Sequence, residues 1–449
     1  MPSAESVFAS ALRRIKPPKR EIEESFAVAN SLASKLEAAV PPAVEVRLVG
    51  SLAKGTWLSG NNEFDIFLLF PKHYSHHEMS MLGLSYARRA FAGMRTESRY
   101  AEHPYLQVFS GKYHADIVPA YRIRDISEKG SSFDRSPLHT EYVNSHLDAR
   151  GKEQVLLLKQ FMKNFGIYGA ELRVEGFSGY LCELLIIKYG SLLALLKEAS
   201  RWHEPVLAIE GEAPAGAKGK FNSPLVVIDP TDHSRNVAAV VAETSLSRFI
   251  FESRRFLASP SGEFFFSQKK PLPAAKIASA IKARGTHCLL LRFPAPKAVP
   301  DVIWPQLKKT AHALCRGLEG GGFSVFGCYH WSDMEECAIL FELDRWELPA
   351  VKKAIGPSVR FGKDAGHFAK AHAKALNLHI EHDRLVAVEK REERDARSAL
   401  LRACRERKGS GIPEGMAQLI AKAGLLEGKA MVRKEYAEFL ADYFFMKIA

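Results

Sequence analysis

The stretch Gly50-Ser51-Leu52-Ala53-Lys54-Gly55-Thr56-Trp57-Leu58-Ser59-Gly60-Asn61-Asn62-Glu63-Phe64-Asp65-Ile66-Phe67 decides the fold. Glu63 and Asp65 are one residue apart, and an i, i+2 pair on a strand points to one face because strand side chains alternate with period two. The run Ile66-Phe67-Leu68-Leu69-Phe70 that follows reads as a buried strand, so the two acids sit at the mouth of a hydrophobic element. Two anions on one face repel each other unless a cation lies between them, and a divalent metal would supply it. Taken alone, the pair also suits a solvated strand end, and Gly50-Ser51 an ordinary turn.

The flanking sequence supports the strand. Upstream, Ile22, Phe26, Ala29, Ala33, Leu36 and Val40 recur at steps of four and three, which predicts an amphipathic helix over 21–40, after a basic opening (Arg13, Arg14, Lys16, Lys19, Arg20) broken by Pro17-Pro18. Pro41-Pro42 ends that helix, and Val44, Val46 and Leu48 alternate with Glu45 and Arg47 as a half-buried strand leading to Gly50. Downstream, Tyr105 to Ser110 and Lys112 to Val118 flank Gly111 as a hairpin whose second arm carries Asp116, a third strand-borne acid.

Two helical stretches, Lys152 to Phe165 and Ser178 to Lys197, predict a helical region, followed by an exposed loop from Gly211 to Lys220 and a short strand from Pro224 to Asp229. The polar cluster Asp229, Asp232, His233, Arg235 and Asn236 reads as a solvated turn, with reach to a ligand as the alternative. Beyond residue 285 the order strand (Cys288 to Phe293), helix (Val302 to Leu318), strand (Phe323 to Trp331) and strand (Cys337 to Leu343) is a split β-α-β pattern. The aromatic faces of the middle strand suit core packing, with base stacking as the alternative. The last hundred residues read as mainly helical, with a basic segment (Lys363, His367, Lys370, His372, Lys374) and a mixed-charge one from Arg391 to Lys408. The fold class is therefore α+β and multidomain: an N-terminal mixed sheet with helices over 1–148, a helical central domain over 149–258, a body with the split β-α-β pattern over 259–358, and a mainly helical C-terminal tail over 359–449.

A chain of 449 residues, 47% hydrophobic, can bury several cores. No run reaches the roughly 18 uninterrupted apolar residues of a membrane span, and Met1-Pro2-Ser3-Ala4-Glu5 does not open a signal peptide, so the expectation is a cytoplasmic protein with no membrane partner. The six cysteines show no CxxC spacing, which argues against a zinc knuckle or a disulfide framework. The net charge of +12 favours a polyanionic partner, nucleic acid above all.

Nucleotidyl transfer to a hydroxyl needs an activated oxygen, a stabilised phosphorus and a neutralised pyrophosphate. Two magnesium ions about 3.5 to 4 Å apart can do all three, held by carboxylate oxygens. Glu63, Asp65 and Asp116 supply three such ligands. At the Gly50-Ser51 turn the backbone can approach closely, Ser51 offers a hydroxyl, and Lys54 adds positive charge for a triphosphate.

Gly50-Ser51, the paired acids and the distant Asp116 together resemble the signature of the DNA polymerase β nucleotidyltransferase superfamily. The segments Gly50 to Leu58, Arg99-Tyr100-Ala101-Glu102-His103-Pro104-Tyr105, Gly166-Ile167-Tyr168-Gly169-Ala170-Glu171, Gly176-Phe177-Ser178-Gly179-Tyr180-Leu181-Cys182-Glu183 and Arg235-Asn236-Val237-Ala238 resemble the archaeal (class I) CCA-adding enzymes. The resemblance implies an enzyme that adds C, C and A to the 3′ end of tRNA from CTP and ATP, without a nucleic-acid template, with two Mg²⁺ ions and release of pyrophosphate. It implies Glu63, Asp65 and Asp116 as catalytic metal ligands. Ser51, Lys54, His139, Lys159, Tyr168 and Arg235 would bind the nucleotide, and the tail would bind tRNA; a homodimer stays open. Lys54 stands where the family also has arginine, which keeps the charge without the bidentate fork. The first acid is Glu where the wider superfamily commonly has Asp. Bland readings stand beside these: Lys159 as a solvated face of an apolar helix, Tyr168 as packing, and His139 as structural. Rival readings of the whole are a poly(A) polymerase or oligoadenylate synthetase with the same acids, and a catalytically silent RNA-binding homologue.

Overall fold

The computed structural model of the chain describes every residue except 1, 101, 215, 268–271, 407–410 and 446–449; Ala101 of the Arg99 to Tyr105 motif, Ala215 of the Gly211 to Lys220 loop, and Arg407 and Lys408 of the mixed-charge segment lie outside the described residues. It forms two compact units, Met1–Gln268 and Lys269–Ala449.

The first unit begins with α1 (Ala4–Ile15), where the sequence predicts no helix before its basic residues, and α2 (Lys19–Glu37), the predicted amphipathic helix. A five-stranded sheet follows, in the order β1-β2-β5-β4-β3. Its strands are β1 (Glu45–Val49), β2 (Glu63–Phe70), β3 (Thr96–Tyr100), β4 (Pro104–Ser110) and β5 (Tyr113–Tyr121). The short α3 (Gly50–Lys54) links β1 to β2, and α4 (His76–Ala90), closed by a capping box of Ser75 and Glu78, links β2 to β3. The sheet is mixed: β2 and β5 run parallel, while the other neighbours are antiparallel. Alternation along β2 sorts its side chains. Phe64, Ile66, Leu68 and Phe70 enter the core under α2 and α4, while Phe67 and Leu69 join a smaller cluster on the opposite face, the face of Glu63 and Asp65.

Helices complete this unit: α5 (Arg135–His146), α6 (Ala149–Asn164), α7 (Gly179–Tyr189) and α8 (Leu192–Ala199), a small sheet of β6 (Val206–Ala208), β7 (Val226–Asp229) and β8 (Asp232–Asn236) with α9 (Ala217–Phe221), and α10 (Glu243–Ala258). The single helix expected over Ser178 to Lys197 is two helices bent by 93°, broken at Gly190-Ser191, where the Ser191 side chain caps α8 by accepting from the Ala194 N–H. Their apolar residues lie in the core shared with α1, α6 and α10. Among the described residues no single helix is long and apolar enough to cross a membrane.

The second unit contains α11 (Ala274–Ala283), β9 (His287–Pro294), α12 (Pro300–Gly320), β10 (Val325–Ser332) and β11 (Glu336–Leu343). In its sheet, ordered β10-β11-β9-β15, β11 separates β9 from β10, which is the split β-α-β arrangement read from the sequence. The aromatic residues of β10 divide: Trp331 packs against Tyr436 and Phe439, while Phe326 and Tyr329 are exposed. The rest of the unit holds β12 (Val351–Ser358), α13 (Gly362–Ala371), β13 (Asn377–Glu381), β14 (Arg384–Lys390), α14 (Ala396–Arg405), α15 (Glu414–Ile420), β15 (Gly424–Glu427) and α16 (Ala437–Phe445). Helices form much of this end, as expected, but the sheet β12-β14-β13 and strand β15 were not foreseen. Pro357, Gly356 and three charged residues among β13 and β12 hide the strand pattern.

Candidate active site

Register brings the acids together. In the parallel β2–β5 pair, Asp65 lies beside Asp116 and Glu63 beside His114. In the antiparallel β1–β2 pair, Val49 lies beside Asp65, so the turn at Gly50 presses against that carboxylate. A methyl group on Gly50 would come 2.3 Å from Asp65 Oδ2, and Gly50 has φ +75°, which L side chains rarely adopt; both facts require glycine there. Asp65, half buried and crowded by two other acids, has its carboxyl pushed up to about 7, first by burial and then by Asp116, with Glu63 adding to the effect and Lys54 opposing it. Burial also raises the Asp116 carboxyl, against a hydrogen bond from Gln107 Nε2 to Asp116 Oδ1 of 2.8 Å. The Glu63 carboxylate is largely exposed, with Oε1 3.1 Å from His114 Nε2.

The three acids, Ser51, Lys54, Lys159 and Tyr168 line one cavity of about 350 Å³, together with Gln107, His114 and Glu183. Seven of the nine residues singled out from the sequence thus meet at one place. Lys159 is not on a solvated face: it is 2% exposed. Its ammonium donates to the Thr56 carbonyl (2.9 Å) and stands 3.3 Å from Glu183 Oε1. Lys54, also buried, donates to Glu183 Oε2 at 2.5 Å, and the Thr56 hydroxyl donates to Oε1 at 2.5 Å. Burial would raise the Glu183 carboxyl, but Lys54, Lys159 and Thr56 outweigh it and hold it below the ordinary value. Tyr168 sits beside this cluster; a methyl on Gly179, at the start of α7, would lie 3.3 Å from its hydroxyl and 3.4 Å from Lys159 Nζ.

His139 and Arg235 gather elsewhere, on Asp229. His139 Nε2 is 3.2 Å from Asp229 Oδ2, Arg235 Nη1 donates to the same oxygen at 2.7 Å, and the Tyr180 hydroxyl donates to Oδ1 at 3.1 Å. His139 stacks on Tyr180 at 3.8 Å between ring centroids, and the Lys54 ammonium is 5.8 Å from the other end of this network, the Tyr180 ring. The expected solvated turn is a hairpin that buries Asp229, Asp232 and Asn236 and leaves His233 exposed; several donors to each of the two carboxylates make their burial tolerable. Burial lowers the His139 imidazole, against the pull of Asp229, so it is neutral near pH 7.

Glu183 ends the segment Gly176 to Glu183, and neither local pattern nor resemblance assigns it a role. A lone carboxylate among Leu181, Cys182, Leu184, Leu185 and Ile186 had to be paired if the helix was buried, and that was the available signal. Gln107, Thr56 and Tyr180 carried no comparable mark.

Three family models match the chain: a nucleotidyltransferase domain over residues 30–139, the second domain of tRNA nucleotidyltransferase over 153–266, and the C-terminal domain of CCA-adding enzyme over 284–421. A CCA-adding enzyme of Methanothermobacter thermautotrophicus is 38% identical over 399 residues, 88% of this chain and 87% of that protein. The chain belongs to the CCA-adding enzyme family. Further family members are similar, among them those of Halobacterium salinarum (38%, 83% of this chain and 82% of that protein) and Methanosarcina barkeri (39%, 82% and 81%). The chain is a tRNA nucleotidyltransferase, as the sequence resemblance implied. Among solved structures, Cid1 poly(U) polymerase with Mg 3′-dATP bound is 19% identical with a TM-score of 0.46, covering 58% of this chain and 95% of that one.

Glu63, Asp65 and Asp116 offer only oxygen ligands, which suits a hard cation such as magnesium, while His114 in the same lining is turned to Glu63. Asp65 and Asp116 are side by side, and both the burial that chiefly raises the Asp65 carboxyl and the repulsion from Asp116 that adds to it are what a cation between them would offset. Among the described residues no three His, Cys, Asp or Glu side chains are arranged to hold a metal by themselves. Glu63, turned to His114, would have to swing toward the two aspartates, and substrate oxygens would complete the shell.

Proposed function

We propose that the chain adds C, C and A to the 3′ end of tRNA from CTP and ATP, without a nucleic-acid template, and that Glu63, Asp65 and Asp116 hold two Mg²⁺ ions for the transfer. The observation that carries this reading is the pairing of Asp65 with Asp116 in one cavity with two buried lysines. When bound, the ions supply Lewis-acid stabilisation of the attacking and leaving oxygens. Asp65 and Asp116, fixed on adjacent strands, set where the reacting phosphorus must lie. Ser51 and Lys54, at the turn that touches Asp65, meet the triphosphate, and Lys159 and Tyr168 complete the wall on that side. Lys54 and Lys159 bring positive charge to the departing pyrophosphate, and Glu183 keeps both ammonium groups in place. His139 and Arg235, aligned by Asp229, are placed for the base side of the nucleotide, where a neutral imidazole and a fixed guanidinium can hydrogen-bond. The four segments 1–148, 149–258, 259–358 and 359–449 are proposed as catalytic, central, body and tail domains, the last of them tRNA-binding. Six free cysteines, buried or half buried, suit the reducing interior of a cell.

Incubating the protein with a tRNA lacking its 3′ end and labelled CTP tests the reading. Label is expected to enter the tRNA with Mg²⁺, to stop when a chelator is in excess, and to return when Mg²⁺ is restored. Incorporation that persists in excess chelator refutes the metal assignment.

A further inference from the structure

The loop that leads into α5 builds a second cationic cavity, which the proposed metal and triphosphate site does not use. The buried Asp134 carboxylate accepts from the backbone N–H groups of Tyr121 (2.8 Å), Gly130 (2.7 Å) and Ser131 (2.8 Å), and this fixes the loop. Lys129 and Arg135 project from its two ends toward Asp232 of β8, at 2.9 and 3.4 Å. With Phe221, Ser234 and Arg235 they line a cavity of about 430 Å³. Three cations thus face it, against the two carboxylates, Asp232 and Asp229, that pair with them. Among the described residues Arg135 makes only a long contact to Asp232, and its Nε is buried without a hydrogen-bond partner. An unmet buried donor costs free energy, and a bound anion would satisfy it. A guanidinium fork suits phosphate in particular. The half-buried Phe221 ring, with Lys220 Nζ 4.9 Å from its centroid, adds a surface on which a base can stack.

We propose that this cavity takes a phosphodiester group of the RNA strand that carries the acceptor hydroxyl, with Lys129 and Arg135 on the phosphate and Phe221 beside the adjoining base. The inference rests on the reading of the chain as an RNA-extending enzyme. The incoming triphosphate already has Lys54 and Lys159 beside the acids. Among the described residues the two cavities share no lining residue and are linked only through the contacts Arg235–Asp229–Tyr180–Lys54, and Lys129 and Arg135 touch neither the acids nor the triphosphate lysines, so we assign a phosphate held by them to the other reactant.

The test measures binding of the full chain to a tRNA lacking its 3′ end across a range of salt, and binding of CTP with Mg²⁺ without RNA. Arg135→Gln is expected to weaken RNA binding about tenfold, and to lower the slope of log K against log salt by about 0.7, the value for one contact to a single strand. CTP affinity should change less than about twofold, since the triphosphate contacts are untouched. A single uncharged methylphosphonate near the RNA 3′ end should weaken binding to the wild type at one linkage and leave Arg135→Gln unaffected there. Lys129→Gln, whose side chain is more exposed, should repeat the pattern and carries the test if Arg135→Gln does not fold. Wild-type RNA affinity and salt slope in both variants would overturn the proposal. So would an equal loss of CTP affinity, which assigns the phosphate to the triphosphate, or methylphosphonates that weaken wild type and variant equally at every position. If the wild type fails to extend RNA at all, the function reading falls; if it extends RNA and the variants bind as it does, only this cavity's assignment falls.

Discussion

Asp65→Asn and Asp116→Asn are each expected to slow nucleotide incorporation by about 10³-fold or more, because each removes a ligand from a clamp whose charge stabilisation acts in the transition state. Single-turnover incorporation into a tRNA lacking its 3′ end measures this, and tRNA affinity should stay within about threefold, since phosphate contacts spread over the chain dominate it. The same variant carries an independent check on folding. The Asp65 carboxyl titrates near 7 in the folded metal-free protein against an ordinary value of 3.8, so the folded state holds its proton more tightly than the unfolded state does. That stabilisation is complete below the ordinary value and is lost as pH rises through about 7. Metal-free Asp65→Asn, which cannot ionise, should therefore melt a few degrees above the wild type at pH 8 and no higher at pH 4. Added Mg²⁺ should raise the wild-type melting temperature and leave the variant's nearly unchanged. A variant that is inactive yet more stable has lost a ligand and kept its fold.

Glu183→Ala is expected to cost about 3 to 5 kcal/mol, since it leaves two buried ammonium groups without their shared carboxylate. For a unit of this size that corresponds to a fall in melting temperature on the order of 10 °C. Thermal unfolding at pH 7 measures it. The pH dependence runs opposite to that of Asp65. Glu183 has its folded value lowered, so its stabilisation is present above the ordinary carboxylate range and lost as pH falls through the folded value. The difference between wild type and Glu183→Ala should therefore shrink in acid. A variant as stable as the wild type at pH 7 would show that Lys54 and Lys159 find other partners.

These expectations draw on residues of uneven visibility in the sequence. Glu63, Asp65 and Asp116 were legible because strand alternation is local: a period of two fixes which face each acid takes, and the apolar runs on both strands mark them as neighbours in a core. Gly50-Ser51 was legible for the same reason, as the end of one strand beside the start of another. Lys159 and Glu183 lie on helices 24 residues apart in sequence, and their pairing depends on how α6 packs on α7, which no local pattern encodes. On helix pattern alone Lys159 suits a solvated face, and only the family resemblance assigns it to the nucleotide site. Asp229 and Asp232 looked like a turn because polar residues between two short strands usually are one; burial came from donors on α5, α7 and the loop before α5. In the second unit, the split β-α-β pattern was clear from long apolar strands, whereas β12 and β13 alternate charged, polar and exposed apolar residues around a small sheet and left no run to read.

The most direct measurement of the central claim is the length of product, resolved to single nucleotides, when a tRNA lacking its final three nucleotides is incubated with Mg²⁺ and CTP, with ATP, or with both. Two additions are expected with CTP alone, none with ATP alone, and three with both, after which extension stops. An unbounded A tail from ATP alone, or no extension under any of the three conditions, would contradict the claim.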